Sequence, residues 1–288
     1  MKYAYYPGCS LSATGVEFNM STLALARKLG VELREIPQWN CCGASYSHNR
    51  GHLFAIALPA RNLALAEREK LEVAVSCAAC YNKLKAAREA VKSSPEMKEK
   101  INRVLNMEYN ATYDVLSSVE VFGKRYGLDN ISARVTKPLT GLRVASYYGC
   151  LLVRPPQLAM DDQENPSSID DIIGALGGTA VDWSHKVECC GAFHSTYNSK
   201  AGFHVIGDIL AAAAESGADC ITVACPLCML NLDMRQANVN RQRKTKYKIP
   251  IFYFTELMGL AMGILPKELG IQKHFVNPGP LLRAKALA

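Results

Sequence analysis

Two copies of one five-cysteine pattern constrain this chain more than any other feature of its sequence. Cys9 stands alone, Cys41-Cys42-Gly43 follows after thirty-one residues, and thirty-four residues separate Cys42 from Cys77-Ala78-Ala79-Cys80. The arrangement then returns. Thirty-eight residues part Cys150 from Cys189-Cys190-Gly191, and thirty-four part Cys190 from Cys225-Pro226-Leu227-Cys228. Ten of the eleven cysteines belong to the two copies. The remaining one, Cys220, lies inside an apolar strand pattern and reads as a buried structural thiol.

The duplication sets the expected organisation. A chain of 288 residues divides into two domains, 1–138 and 139–288, with the break near Arg134 to Gly141. Each half alternates short apolar strands, cysteine loops and helices, which predicts an α/β fold with largely parallel sheets. In the first half, strands are expected at 3–6, 31–36 and 71–76. Helices are expected from a Thr14 cap to Leu29, over 53–70, just after Cys80, and from Ser94-Pro95 to about Met107. In the second half, strands at 142–148, 179–183 and 219–224 alternate with helices at 170–176 and 201–216. Each cysteine group then follows a strand, so the groups converge at the carboxyl ends of the sheet strands, where such folds bind ligands. The repeat extends beyond cysteine: Glu120, Gly123 and Gly127 match Glu256, Gly259 and Gly263 in an E-x-x-G-x-x-x-G pattern, and Leu84 matches Leu232. Two domains related by a pseudo-two-fold axis are the expected result.

Composition narrows the function classes. With 49% apolar and 20% charged residues the chain has the make-up of a globular protein. No uncharged apolar run reaches the length of a membrane span, since Pro250, Thr255 and Glu256 interrupt the most apolar stretch. No signal-peptide pattern opens the sequence, so a cytoplasmic location is expected. There, many cysteines read as metal or redox ligands rather than disulfides. The net charge of +7 is dispersed apart from Arg241 to Lys246, and argues against a nucleic-acid partner.

Five cysteines per domain leave three chemistries open. A disulfide framework fits poorly with an odd count. A structural zinc site needs four ligands, usually in closely spaced pairs. A cubane [4Fe–4S] cluster also takes four cysteines. A vicinal pair with three further thiols suits a larger or more open iron–sulfur cluster. The doubled pattern, from Tyr6-Pro7-Gly8-Cys9 to the Glu256–Gly263 segment, resembles the cysteine-rich CCG domain family, and the two-copy chain resembles the B subunit of heterodisulfide reductase. That resemblance implies two noncubane [4Fe–4S] clusters. Cys9, Cys41, Cys42, Cys77 and Cys80 would hold one; Cys150, Cys189, Cys190, Cys225 and Cys228 would hold the other. It also implies an oxidoreductase that cleaves a small-molecule disulfide, such as the coenzyme M–coenzyme B heterodisulfide of methanogenesis, between the clusters. Electrons would come from a C subunit carrying ferredoxin-like cubane clusters, and through a flavin-bearing A subunit. The alternative implied by the same family is an electron-transfer subunit of a fumarate reductase/succinate dehydrogenase-type or glycolate/lactate-oxidising complex. The chain lacks a ferredoxin cysteine run and a dinucleotide fingerprint, consistent with dependence on partners.

Among other residues, His48 and His194 follow the two doublets and are the candidate proton donors to departing thiolates. Arg50, Arg154 and Lys200 lie near the cysteine loops as candidate anion contacts. Gly43 and Gly191, and with them Gly8 and Gly149, are expected to let backbone approach a cluster closely. Tyr5-Tyr6 and Tyr147-Tyr148 read first as core strand residues and second as walls of a site.

Overall fold

The computed structural model describes residues 1–44 and 46–287, with the backbone but not the side chain of His48. The first half contains β1 (Lys2–Tyr6), α1 (Val16–Leu29), β2 (Glu32–Glu35), α2 (His52–Arg68), β3 (Val73–Val75), α3 (Ala78–Ser93), α4 (Pro95–Leu105) and β4 (Val115–Ser117). The second contains β5 (Arg143–Tyr147), α5 (Ser168–Ala175), β6 (Thr179–Ala180), α6 (Ser199–Glu215), β7 (Cys220–Val223), α7 (Gln236–Arg243), β8 (Ile251–Tyr253) and α8 (Phe254–Ala261). Single helical turns fill several of the connections.

Each half builds one four-stranded sheet, in the orders β2-β1-β3-β4 and β6-β5-β7-β8. Every pairing is parallel, and the registers correspond: Ala4 faces Val73 as Ala145 faces Ile221, and Val73 faces Val115 as Ile221 faces Ile251. Strands covered on both faces need continuous apolar runs. The VAV of β3 and IFY of β8 are accordingly buried throughout. β2, the edge strand ELRE, is exposed or half-buried and carries charges that discourage further pairing.

The doubled E-x-x-G-x-x-x-G pattern has a structural explanation. Glu120 Oε2 accepts the Ser117 N–H at 2.8 Å, and Glu256 Oε2 accepts the Tyr253 N–H at 2.8 Å, so each glutamate caps the helical segment that follows its strand. The first glycine allows close packing: a Cβ on Gly259 would lie 2.4 Å from Leu269, and one on Gly123 would lie 3.1 Å from Ile172. The second, Gly127 or Gly263, takes a positive φ of 93° or 77°. These segments bind the halves together. Gly123 packs on α5 of the second half, while α8 packs on α1 of the first, where Thr255 and Ser21 share a buried hydrogen bond of 2.7 Å. Reciprocal contacts of this kind are what a two-fold relation between duplicated halves produces.

Several local expectations need correction. Thr14 does not cap α1; the N-cap is Gly15, without a side-chain bond. The helix after the first CxxC starts at Ala78, not beyond Cys80, because extended Cys77 serves as its N-cap. β6 spans only two residues rather than five. Ser94 does cap α4, accepting the Met97 N–H at 3.1 Å, and Gly30 ends α1 with φ 70°.

Candidate metal centres

Each cysteine set is assembled at the carboxyl ends of β1 and β3, or of β5 and β7. β1 ends at Tyr6 and a helical turn over Gly8–Leu11 carries Cys9. β3 ends at Val75, and Cys77 follows as the N-cap of α3. Helical side chains lean towards the helix N-terminus. Cys80, in the first turn of α3, is therefore turned back to the strand end it has just left. Cys225 and Cys228 repeat the geometry, with Pro226 at the first helical position.

Within each set, sulfurs lie close to one another. Cys9 Sγ lies 3.9 Å from Cys41 Sγ, and Cys42 Sγ lies 3.3 Å from Cys80 Sγ. In the second set Cys150 and Cys189 are close enough to shift one another's acidity, as are Cys228 and its neighbours Cys190 and Cys225. The two sets meet at Cys77 and Cys225, which lie close enough across the boundary between the halves for each thiol to shift the other's acidity. Cys42, Cys77, Cys80, Cys190, Cys225 and Cys228 are buried, whereas Cys9 and Cys189 are exposed, so each set is open on one side. Shared S–H donation polarises the thiols. Donation from Cys41, then Cys80, holds Cys42 down at about 3, and donation from Cys150 holds Cys189 at about 6 against the opposing effect of burial. Among the described residues no three His, Cys, Asp or Glu side chains converge on one point as ligands of a single ion. Sulfur donors gathered as neighbouring pairs fit a multinuclear cluster better than a tetrahedral zinc site.

Two tyrosines that the sequence reads first as core residues, and second as walls of a site, shape both centres. Tyr6, buried in β1, donates its hydroxyl to the Asn40 carbonyl at 2.9 Å; Tyr147, buried in β5, donates to the Glu188 carbonyl at 2.6 Å. Asn40 and Glu188 each immediately precede a cysteine doublet, so a tyrosine three residues before each lone cysteine pins the doublet loop. Burial, then the neighbouring thiols, keeps both phenols protonated. Each centre adds its own support. The Asn62 amide bonds the Asn40 N–H and carbonyl at 2.8 Å each. Asn231 donates to the Cys190 and Ala192 carbonyls at 3.0 and 2.8 Å and reaches Cys190 Sγ at 3.4 Å.

The glycines divide by cause. Gly8 and Gly149 carry φ of 72° and 63°, and a Cβ there would lie 3.0 Å from Cys80 Sγ or 3.3 Å from Cys228 Sγ. These are the close approaches to the sulfurs. Gly43 and Gly191 instead serve left-handed turns, with φ of 76° and 82°; the space a Cβ would enter at Gly43 belongs to Ser47 and Leu58.

The remaining candidates are mostly peripheral. His194 is exposed, its ring 5.1 Å from that of Tyr197, and close enough to Cys189 to favour its thiolate. The side chain of His48 lies outside the described residues. Arg50 and Lys200 are exposed, and Arg154 pairs with Glu164 at 3.0 Å. Cys220 is fully buried, and burial pushes its thiol up, as a structural role requires. A cavity of about 700 Å³ adjoins Asp219 at the opposite end of β7 from Cys225. The sixth histidine, His274, was missed: it lies outside the duplicated pattern, yet its side chain is 0% exposed and its Nε2 lies 2.9 Å from Glu256.

Comparison with known proteins agrees with this architecture. The Cysteine-rich domain family, CCG, matches residues 3–85 and 144–233. The chain is 36% identical to the 8-methylmenaquinol:fumarate reductase membrane anchor subunit of Wolinella succinogenes, covering 96% of this chain and 97% of that one. It is 32% identical to the B subunit of the ferredoxin/F(420)H(2)-dependent CoB-CoM heterodisulfide reductase of Methanosarcina acetivorans, covering 96% and 94%. A solved structure of a hypothetical protein from Helicobacter pylori superposes with a TM-score of 0.78 at 14% identity, over 96% of this chain and 52% of that chain, a likeness of fold. No helix among the described residues is long and apolar enough to cross a membrane. With both of its halves matched, the chain belongs to the CCG cysteine-rich domain family, as a two-copy chain related to the B subunit of heterodisulfide reductase.

Proposed function

We propose that this chain is the disulfide-reducing subunit of a heterodisulfide reductase-type complex. In this reading Cys9, Cys41, Cys42, Cys77 and Cys80 hold one noncubane [4Fe–4S] cluster, and Cys150, Cys189, Cys190, Cys225 and Cys228 hold a second. The observation that carries the reading is the contact of Cys77 with Cys225, which makes two complete five-thiol sets neighbours across one seam. Clusters held by these ten cysteines would supply the two one-electron transfers that disulfide reduction needs. The protein's own part is positional. Tyr6 and Tyr147 hold the doublet loops, Gly8 and Gly149 keep side chains away from Cys80 and Cys228, and the buried cysteines keep water from the inner face. The sides bearing exposed Cys9 and Cys189 admit substrate, and His194 stands beside Cys189 as a proton donor on that open face. A coenzyme M–coenzyme B-type heterodisulfide is the substrate class. A C subunit with cubane clusters supplies electrons, and a flavin-bearing A subunit feeds it.

A second reading rests on the 36% identity to a fumarate reductase subunit. In it the same centres pass electrons between partners and consume no disulfide. Anaerobic purification followed by iron and acid-labile sulfide analysis is the first test. About eight of each per chain is expected for two four-iron clusters. About half that amount overturns the paired-centre mechanism, and zinc without sulfide overturns the redox reading. Disulfide consumption with a reduced viologen dye then separates the readings: turnover supports the first, and electron uptake without thiol formation supports the second.

A further inference from the structure

We propose that a buried acid–imidazole cavity beside the C-terminal cysteine set holds and delivers protons for disulfide reduction; this deepens the disulfide-reductase reading and rests on it. The cavity, about 50 Å³, is lined by Thr14, Glu17, Pro226, Asp233, Lys273 and His274, among others. That volume accommodates ordered water where several polar groups face it.

His274 supplies the observation that points to a guest. Its side chain is fully buried, and Nε2 lies 2.9 Å from Glu256 Oε1, while Nδ1 is buried without a hydrogen-bond partner among the described residues. An orphaned ring nitrogen lining a polar cavity is satisfied by water. Glu17 is the next group inward, its Oε1 accepting the Tyr253 hydroxyl at 3.4 Å. Asp233 faces the same space and is fixed by the N–H groups of Phe275 and Val276 at 2.7 and 2.9 Å. The groups facing His274 are thus Glu17 from α1, Asp233 from the turn after Cys228, Glu256 and Tyr253 from the β8–α8 segment, and Lys273 from its own turn.

The cavity has an outer and an inner end. Lys273 and Phe275 are exposed, so proton exchange with solvent occurs there. Inside, Pro226 follows Cys225 directly. A single point next to Gly15 lies 3.0 Å from Pro226 Cβ and 3.3 Å from Tyr253 Oη, which puts the phenol against the segment bearing Cys225. Burial keeps that phenol protonated, and the nearest thiols acting on it are Cys225 and Cys77, the pair at the seam. Burial is the main cause that raises Glu17, Asp233 and Glu256 from their ordinary values, which favours the proton-bearing form of each.

The balance is R–S–S–R′ + 2 e⁻ + 2 H⁺ → R–SH + R′–SH. The S–S bond breaks and two S–H bonds form, while a one-electron iron–sulfur partner protein is oxidised twice. The cavity supplies one proton, to the sulfur facing the seam, and is refilled from solvent past Lys273; the other sulfur takes its proton at the open face beside Cys189.

The test uses cluster-loaded Glu17→Gln, which keeps an acceptor for Tyr253 but carries no acidic proton. With reduced viologen and a heterodisulfide, kcat is expected to fall about tenfold or more, with the KM for disulfide unchanged and the alkaline limb of the pH profile displaced. Glu17→Asp restores part of the rate. Viologen reduction of the protein without disulfide proceeds at the wild-type rate. Infrared difference spectra of the wild type show a protonated buried carboxyl at neutral pH that is missing from Glu17→Gln. If Glu17→Gln loads less iron, His274→Gln is measured in the same way. Wild-type turnover with an unchanged kcat and pH profile in the loaded variant overturns the proton role alone. Absence of the carboxyl signal from the wild type also overturns it, whatever the turnover. A wild type that forms no thiol from any heterodisulfide overturns the function and, with it, this role.

Discussion

At the residue scale the centres depend on a few groups that are not cysteines. Gly8 and Gly149 combine left-handed backbone with sulfur at van der Waals range. Gly8→Ala meets both the backbone penalty, about 1–2 kcal/mol, and a steric conflict with Cys80. It is expected to lower stability by that order and to cut iron content towards half, and Gly149→Ala does the same for the second set; iron analysis and urea titration check both. Tyr6→Phe and Tyr147→Phe each remove one hydroxyl from a doublet-loop carbonyl, at a cost of about 1 kcal/mol. Their more telling effect is faster iron loss to a chelator, because the loop bearing two thiols is no longer pinned. The tyrosines were visible in the sequence as strand residues, but nothing in their spacing disclosed that their hydroxyls reach the residue before each doublet. That contact spans thirty-four residues in one half and forty-one in the other.

At the element scale, duplication made the architecture legible. Strand, cysteine and helix follow one another in the same order twice, and both sheets adopt the same strand order. Helix ends were read less well where no side chain caps them, as at Gly15 and Cys77. The paired Glu and Gly positions were recognisable as a repeat, while their purpose emerged only from packing: a cap, a close approach and a left-handed exit. Gly259→Val should therefore be costly, since its Cβ would sit 2.4 Å from Leu269. A loss of about 1–3 kcal/mol in urea unfolding is expected, with less for Gly123→Val, where the nearest atom is 3.1 Å away.

At the scale of the whole molecule, the halves enclose an ionisable cluster that neither could bury alone. Burial raises Glu17, Asp233 and Glu256. His274 is raised as well, because Glu256, then Asp233 and Glu17, outweigh the opposing effect of burial. A group with a raised folded-state pKa contributes fully below its unfolded value, and that contribution is lost as pH rises through the folded value. The carboxyls begin to lose theirs above 3.8 to 4.5, and His274 above 6.5. Anaerobic stability of the loaded protein is thus expected to decline as pH rises above the ordinary carboxyl values and again above 6.5, and less steeply in Glu17→Gln; denaturation as a function of pH checks the slope.

The sequence by itself determined the duplication, the α/β class and the grouping of ten cysteines at strand ends, because those follow from local periodicity and from where parallel strands deliver their loops. It carried the family resemblance for the same reason. Only the tertiary structure decided that Cys77 meets Cys225, that tyrosines pin both doublet loops, and that Glu17, Asp233, Glu256 and His274 share one buried space. These residues lie far apart along the chain and carry no common spacing. Cys77 and Glu17 reach their partners because one half packs against the other, the remaining contacts form within a half, and it is burial that changes what these side chains can do.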